Sequence, residues 1–424
     1  MVKQRKSKRT EETEESEQSV SEDIPTPEIS ESLPELPVVP VVVTESKETD
    51  EPKELQDRMA RIARTISMKF GENSLMFLKD HPDYAKVKQW VSTGCRTLDW
   101  LISGKADGTG GLPVGRIIEL FGDPSSGKTL LLTHVLAGIQ RLGGIPVLYD
   151  VEAAFDRSFG ERIGLNPDFM LYTQAYRIDE REETFVAEDG KLKKGMIRKV
   201  VGASVERVRD MVESTIDIIL NEDPNQLIGM AIDSVAICTT EHELDDYDKR
   251  DLTKAQALRQ MMRIIEPKIA DLPVLLIVTN HTITNIQMNP FQRKPGPRED
   301  KTTPGGSGLP FGSSVRLDLT RGKDLHDNKN NKRINGHEIW CFTHKNKVYT
   351  PRRKAVVEMK FETGLEPYSG LVELLAEYEV IEDMGQQVYR YKDERFKPHR
   401  MEKYQGIEDV IEKYPEMLEQ LNFK

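Results

Sequence analysis

"GDPSSGKTL", Gly122 to Leu130, has the spacing G-x-x-x-x-G-K-[ST] of a phosphate-cradling P-loop. Glycines at such positions let the backbone turn so that several N–H groups converge on phosphate oxygens. A helix beginning there adds the positive end of its dipole. Gly122, Asp123, Pro124, Ser125, Ser126, Gly127 and Leu130 line this cradle. Lys128 is placed to reach the β- and γ-phosphates, and Thr129 to ligate Mg²⁺. The apolar run "GRIIELFG" before the motif reads as a strand, and "KTLLLTHVLAGIQRLG" after it as a helix. The pattern serves kinases, transporters, GTPases, helicases and recombinases alike, so its surroundings must choose among them.

Working outward, strands and helices alternate. "IPVLYDVE", "LIGMAIDSVAI" and "PVLLIVTNH" are apolar strands, separated by helical runs that include "SVERVRDMVESTIDIIL" and "LTKAQALRQMMRIIEPKIAD". Continuous apolar strands between amphipathic helices imply an α/β fold, a mainly parallel sheet covered by helices on both faces. Ligands in such sheets sit at the carboxyl ends of the strands. Further β segments follow in "SVRLDLTRG", "GHEIWCFTHKNKV" and "KAVVEMKFE". Two stretches interrupt the rhythm: 177–200, expected as a charged hairpin around "EDGK", and the basic, Gly- and Pro-rich 282–314, too long for an idle connection. The expected organisation is an acidic, disordered tail over 1–54, a helical arm over 55–92, the P-loop core over 93–365 and a small α+β domain over 366–424. Leu55, Met59, Ile62 and Ile66 form one stripe of the arm.

Composition limits the setting. Of 424 residues, 37% are hydrophobic and 31% charged, as suits a soluble chain. No apolar stretch approaches the roughly 18 residues of a membrane span, and the basic N-terminus lacks the apolar core of a secretory signal. Cys95, Cys238 and Cys341 lack metal-ligand spacing and read as thiols of a reducing compartment, so a cytoplasmic location is expected. Residues 1–54 hold 15 Asp or Glu against 7 Lys or Arg, which accounts for −8 of the net −11. A basic groove elsewhere is therefore compatible with the total.

"LIGMAIDS" ends an apolar strand in Asp233, where a carboxylate can hold the waters of a phosphate-bound Mg²⁺. Hydrolysis also needs a group to orient or deprotonate water. "LYDVEAAFD" offers Asp150, Glu152 and Asp156, with Glu152 best placed as the base. Asn280 and His281 end "VTNH" and are polar donors within reach of a γ-phosphate or simply structural. Arg293, Lys294, Arg298 and Lys301, with Phe291 and the glycines of "TTPGGSG", suit contact with a nucleic-acid backbone and bases. Lys345 and Lys347 in "HKNK" share one face of a strand.

Taken in order, "MKFGENSLMFL", "VSTGCRTLDWLI", "GGLPVGRIIELFGDPSSGKT", "YDVEAAFD", "AIDSVA", "TPGGSGLPFGSSVRLDL" and "KNK" resemble blocks of the bacterial RecA recombinase family. The resemblance runs from about Arg61 to Asp383. It implies a RecA-type core that uses ATP and Mg²⁺, forms a helical filament on single-stranded DNA, and pairs it with homologous duplex DNA. By position it makes Glu152 the catalytic glutamate, and Lys128, Thr129 and Asp233 the phosphate and Mg²⁺ residues. Asp156 and Phe159 fall at adenine contacts. His281 stands where the family has a Gln that couples the γ-phosphate to the DNA loop. Lys345 and Lys347 match lysines that reach the ATP of the neighbouring subunit, and Phe311 an aromatic that packs into it. Lys249 and Arg250 lie in the first DNA loop; Arg293, Lys294, Arg298, Lys301, Gly305 and Gly306 lie in the second. The arm would pack the filament, and the acidic tail would offer a site for accessory proteins. Asp123-Pro124, Leu130, His281, Pro310 and the 177–200 stretch depart from the family pattern. A ring-forming ATPase on the same core, and a non-catalytic DNA-binding mediator switched by ATP, remain as alternative readings at this stage.

Overall fold

The computed structural model describes residues 51–422 apart from 73, 81–85, 187–191, 246–252, 283–301, 328–329 and 401–403. The chain divides into two units, Met1–His81 and Pro82–Lys424. In the first, the helix Glu51–Phe70 carries the Leu55, Met59, Ile62 stripe at helical spacing and begins inside the stretch expected as tail, so that 51–54 are helical rather than disordered; residues 1–50 lie outside the described residues.

A nine-stranded sheet organises the second unit. Six strands run parallel, in the order Val315–Asp327, Arg116–Gly122, Val274–His281, Ile228–Asp233, Ile145–Asp150, Leu171–Thr173. Three more, Asn330–Asn346, Lys354–Lys360 and Gly364–Leu365, extend the Val315 edge in antiparallel fashion. The expected mainly parallel sheet with two covered faces is what the chain forms. Strand Ile228–Asp233 is buried at all six positions, which is why it reads as a continuous apolar run rather than an alternating one.

Each face has its own core. On one side Leu131, Leu132, Val135, Leu136 and Ile139 of helix Lys128–Arg141 pack with Leu98, Leu101 and Ile102 of helix Arg96–Ser103 and with Ile118 and Leu120. On the other, Val208, Val212 and Ile216 of helix Val205–Glu222 meet Leu258, Met261, Met262 and Ile265 of helix Lys254–Ile269 and Ile117. Burying each such side chain contributes about 1.5–3 kcal/mol. Ser204 starts the Val205 helix by accepting the N–H of Arg207 at 3.1 Å.

Residues after 366 build helices Leu371–Glu377 and Ile407–Lys413 around the small sheet Glu382–Asp383, Tyr389–Tyr391, Glu394–Phe396. Their apolar residues, among them Val372, Leu375, Phe396, Val410 and Leu421, continue the first core. Trp100 Nε1 donates to the Leu421 carbonyl at 3.0 Å. His134 of the P-loop helix accepts the N–H of Leu365 at 2.9 Å, and burial holds its imidazole down at about 4, in the neutral form that can accept. The 177–200 stretch forms an antiparallel pair, Arg177–Val186 with Leu192–Gly202, whose tip lies outside the described residues. All three cysteines are buried and free. No described helix is long and apolar enough to cross a membrane.

Candidate functional site

Strand Arg116–Gly122 delivers the P-loop to the carboxyl edge of the sheet, and helix Lys128–Arg141 leaves from it. Gly127 caps that helix at φ +95°, and a Cβ there would come within 2.6 Å of Ile339 Cδ1. The left-handed backbone favours glycine, whereas the Ile339 methyl could shift aside. Lys128 is 7% exposed, and its ammonium folds over the loop to donate to the carbonyls of Gly122 and Asp123, each at 3.0 Å. Ser125 takes a positive φ of 59°, and Leu130 packs against the first core. The Ser126 hydroxyl is buried with no protein partner. A buried hydroxyl without a partner is costly, and beside a cradle of backbone N–H groups it fits a phosphate oxygen. The residues present therefore suit a nucleoside triphosphate.

Neighbouring strand ends bring in the acids. Asp233 is 2% exposed and accepts Thr129 Oγ1 at 2.6 Å and the Thr279 hydroxyl. Burial first, then the charges of Glu152 and Asp150, push its carboxyl above the ordinary range, against the two hydroxyls that lower it. A hydroxyl and a carboxylate held together at the foot of a P-loop helix are an oxygen donor set fit for Mg²⁺. Glu152 Oε1 accepts from Ser234 Oγ at 2.7 Å and from His281 Nε2 at 2.6 Å. A carboxylate can only accept, so His281 carries its proton on Nε2. The Glu152 side chain keeps 18% exposure, enough to meet water.

The other two acids of "LYDVEAAFD" are engaged elsewhere. Asp150 accepts the N–H groups of Ala154 and Phe155, each at 3.1 Å, and the Tyr172 hydroxyl at 3.0 Å. Asp156 caps helix Arg157–Arg162 by accepting Phe159 N–H at 3.0 Å. Phe159 is 4% exposed and lies edge-on to His134.

Asn280, His281 and Thr282 each hold a different neighbour. Asn280 bonds Glu119 and the Pro304 carbonyl, His281 bonds Glu152, and the Thr282 hydroxyl donates to Asp123. Asp123, one of the departures noted above, thus has a partner in Thr282. Thr279, Thr282 and Ser234 were missed as site residues; their one signal was a polar side chain closing an apolar strand.

Lys345 and Lys347 lie away from this chain's own P-loop. Lys345 is in register with Arg316, which faces Glu119, three residues before Gly122 and about 10 Å back along the strand. Its ammonium donates to the carbonyls of Pro310 at 2.8 Å and Phe311 at 2.7 Å. Burial, then Lys347, bring it down to about 8. Lys347 pairs with Glu266 at 3.2 Å. Phe311 is 75% exposed.

Lys249, Arg250, Phe291, Arg293, Lys294, Arg298 and Lys301 lie outside the described residues. Gly305 and Gly306 pack against helix Lys254–Ile269, where a Cβ at Gly305 would come within 2.3 Å of Leu258 Cδ1 and one at Gly306 within 3.0 Å of Ala255 Cβ. Beside them a hollow of about 600 Å³ is lined by Ala255, Gln256, Arg259, Gln260 and Arg263. Arg259 reaches Ser307 Oγ at 3.3 Å. Two arginines one turn apart make a cationic stripe, which in the sequence passes for the solvated face of a helix.

A family model described as the RecA N-terminal domain matches residues 57–217 and 209–366. Protein RecA of Paracoccus denitrificans is 30% identical over 346 residues, 81% of this chain and 83% of that protein. Protein RecA of Macrococcus caseolyticus is 28% identical over 366 residues, 85% of this chain and 87% of that protein. Protein RecA of Mycoplasma mycoides is 28% identical over 360 residues, 84% and 90% respectively.

Proposed function

The chain belongs to the RecA family, and on that footing we propose that it is a DNA-dependent ATPase that assembles on single-stranded DNA and promotes homologous pairing and strand exchange. The observation that carries the reading is the meeting, at one sheet edge, of the P-loop, the Thr129–Asp233 pair and the Glu152–His281 pair.

ATP is the substrate. The loop's N–H groups, Ser126 and Lys128 hold its phosphates, and Thr129 with Asp233 would hold Mg²⁺. That ion would supply charge neutralisation on the transferring phosphoryl group. Glu152, kept in place by Ser234 and His281, orients a water and accepts its proton as the water oxygen bonds to the γ-phosphorus. The bond to the β-γ bridging oxygen breaks, giving ADP and phosphate. His281, bonded to Glu152 and followed directly by Thr282 and the 283–301 segment, is the coupling residue. Arg259 and Arg263, together with the basic residues of 283–301, form the DNA path. Lys345, Lys347 and Phe311 face a neighbouring subunit, so that the site is completed between chains.

The test is ATP hydrolysis with and without single-stranded DNA, followed by a strand-exchange assay. Glu152→Gln is expected to lose turnover while keeping ATP-dependent DNA binding. Hydrolysis at the wild-type rate in that variant would refute the role of Glu152, and closed rings alone under the electron microscope would refute the filament.

A further inference from the structure

Asn280 is 0% exposed, and each polar atom of its side chain is engaged. Nδ2 donates to Glu119 Oε1 and to the Pro304 carbonyl, both at 3.2 Å. Oδ1 accepts the backbone N–H of His281 at 3.0 Å. Reversing the amide would aim its oxygen at a carboxylate and a carbonyl, so the bonds fix its orientation. Glu119, also 0% exposed, is held in turn by Arg316 Nε, and Arg316 reaches Thr303 Oγ1 at 3.4 Å.

This is an expensive way to fill the middle of a sheet. A buried ion pair and a buried amide forfeit hydration, and apolar side chains of equal volume would hold the strands at least as well. What apolar residues cannot supply is direction. Thr303 and Pro304 follow Thr302, where the described chain resumes after 283–301, and lead into Gly305 and Gly306. The plane of one amide therefore ties that point to the backbone of His281, whose ring holds Glu152.

We propose that Asn280 is a positioning residue: seated on the Glu119–Arg316 pair, it sets His281 against Glu152 according to where Thr303 and Pro304 lie. The inference rests on the ATPase reading above and concerns a residue whose side chain bonds Glu119, Pro304 and the His281 backbone rather than the P-loop or the Thr129–Asp233 pair. DNA laid along the Arg259 and Arg263 stripe would press on the segment that Asn280 grips, and the amide would pass the displacement to the group that holds the base.

The test uses the full chain as wild type, Asn280→Ala and Asn280→Asp. Hydrolysis is measured across ATP concentration and pH, with and without oligo-dT. Hydrogen exchange of the peptide bearing His281 is followed in parallel. Asn280→Ala is expected to keep KM for ATP within about twofold while DNA stimulation of kcat falls about tenfold or more. Exchange at His281 should quicken about tenfold as its acceptor is lost. In Asn280→Asp the carboxyl can donate only when protonated. That variant is expected to regain stimulation, relative to wild type at the same pH, as the pH falls. A merely structural lesion would not follow that titration.

Full DNA stimulation in Asn280→Ala overturns the proposal, as does a raised KM with kcat intact. Where Asn280→Ala does not fold, the Asn280→Asp profile decides, and a course parallel to wild type overturns it. A wild-type chain that hydrolyses no ATP would count against the proposed function instead. Exchange at His281 then decides the positioning role, which an equal rate in wild type and Asn280→Ala refutes.

Discussion

Asp233 sits almost fully buried at a strand end with two other carboxylates nearby, and burial raises its pKa. A raised folded value means that the folded chain holds this proton more tightly than the unfolded chain does. The stability it lends is complete below the ordinary carboxylate value, near 3.9, and is lost as pH rises through the raised one. At neutral pH the charge is therefore a burden that a bound cation would relieve. Asp233→Asn is expected to melt a few degrees above wild type at pH 7 without nucleotide, with the difference shrinking toward pH 4. The same variant should lose on the order of 10- to 100-fold in Mg²⁺-dependent ATP affinity. A melting temperature below wild type at each pH would contradict this account. Residues such as Gly122 to Thr129 were legible in the sequence because a P-loop is a local pattern. The Thr282–Asp123 bond was not, because it joins positions 159 apart that only the sheet brings together.

Helix Lys254–Ile269 shows what an element can conceal. Its apolar spacing, Leu258, Met261, Met262, Ile265 and Ile269, gave the helix and its buried face directly. The Arg259 and Arg263 stripe gains meaning only from what packs beside it, Gly305 against Leu258, Gly306 against Ala255 and Ser307 bonded to Arg259. Replacing Arg259 and Arg263 together with Gln should weaken single-stranded DNA binding and reduce its salt slope by about one to two. An unaltered slope would remove the stripe from the DNA path. The paired strands Val315–Asp327 and Asn330–Asn346 outrun the segments expected from sequence for a related reason. Beyond Leu319 the first strand has left its parallel neighbour, and the two continue by pairing with each other. Cross-strand partners of this kind leave little trace in either strand's own period.

For the whole molecule, the polarity of the sheet matters most. The P-loop opens at one end of its strand, whereas Lys345 and Lys347 lie toward the other. Fold class was legible because alternation of apolar strands and amphipathic helices records a covered parallel sheet. The separation of the lysines from the loop was not, since it depends on register between strands far apart in the chain. A shared site predicts complementation: Lys128→Ala chains and Lys345→Ala/Lys347→Ala chains, each inactive alone, should recover hydrolysis when mixed on DNA. A mixture no more active than its components would place the two lysines outside the site.

If the site is shared as proposed, that separation also sets an arithmetic of assembly. Under the proposed sharing of the site, the contact is head-to-tail and joins unlike surfaces, and it gives an open run where the rotation between chains does not close a ring. In such an open run of n chains only n − 1 sites would have both halves, because one terminal chain would present a P-loop to solvent. A pair would work at half the capacity of its members, and a long run at nearly all of it. Turnover per chain should therefore climb with run length and level off, so that the rate of hydrolysis becomes a gauge of how much DNA has been covered.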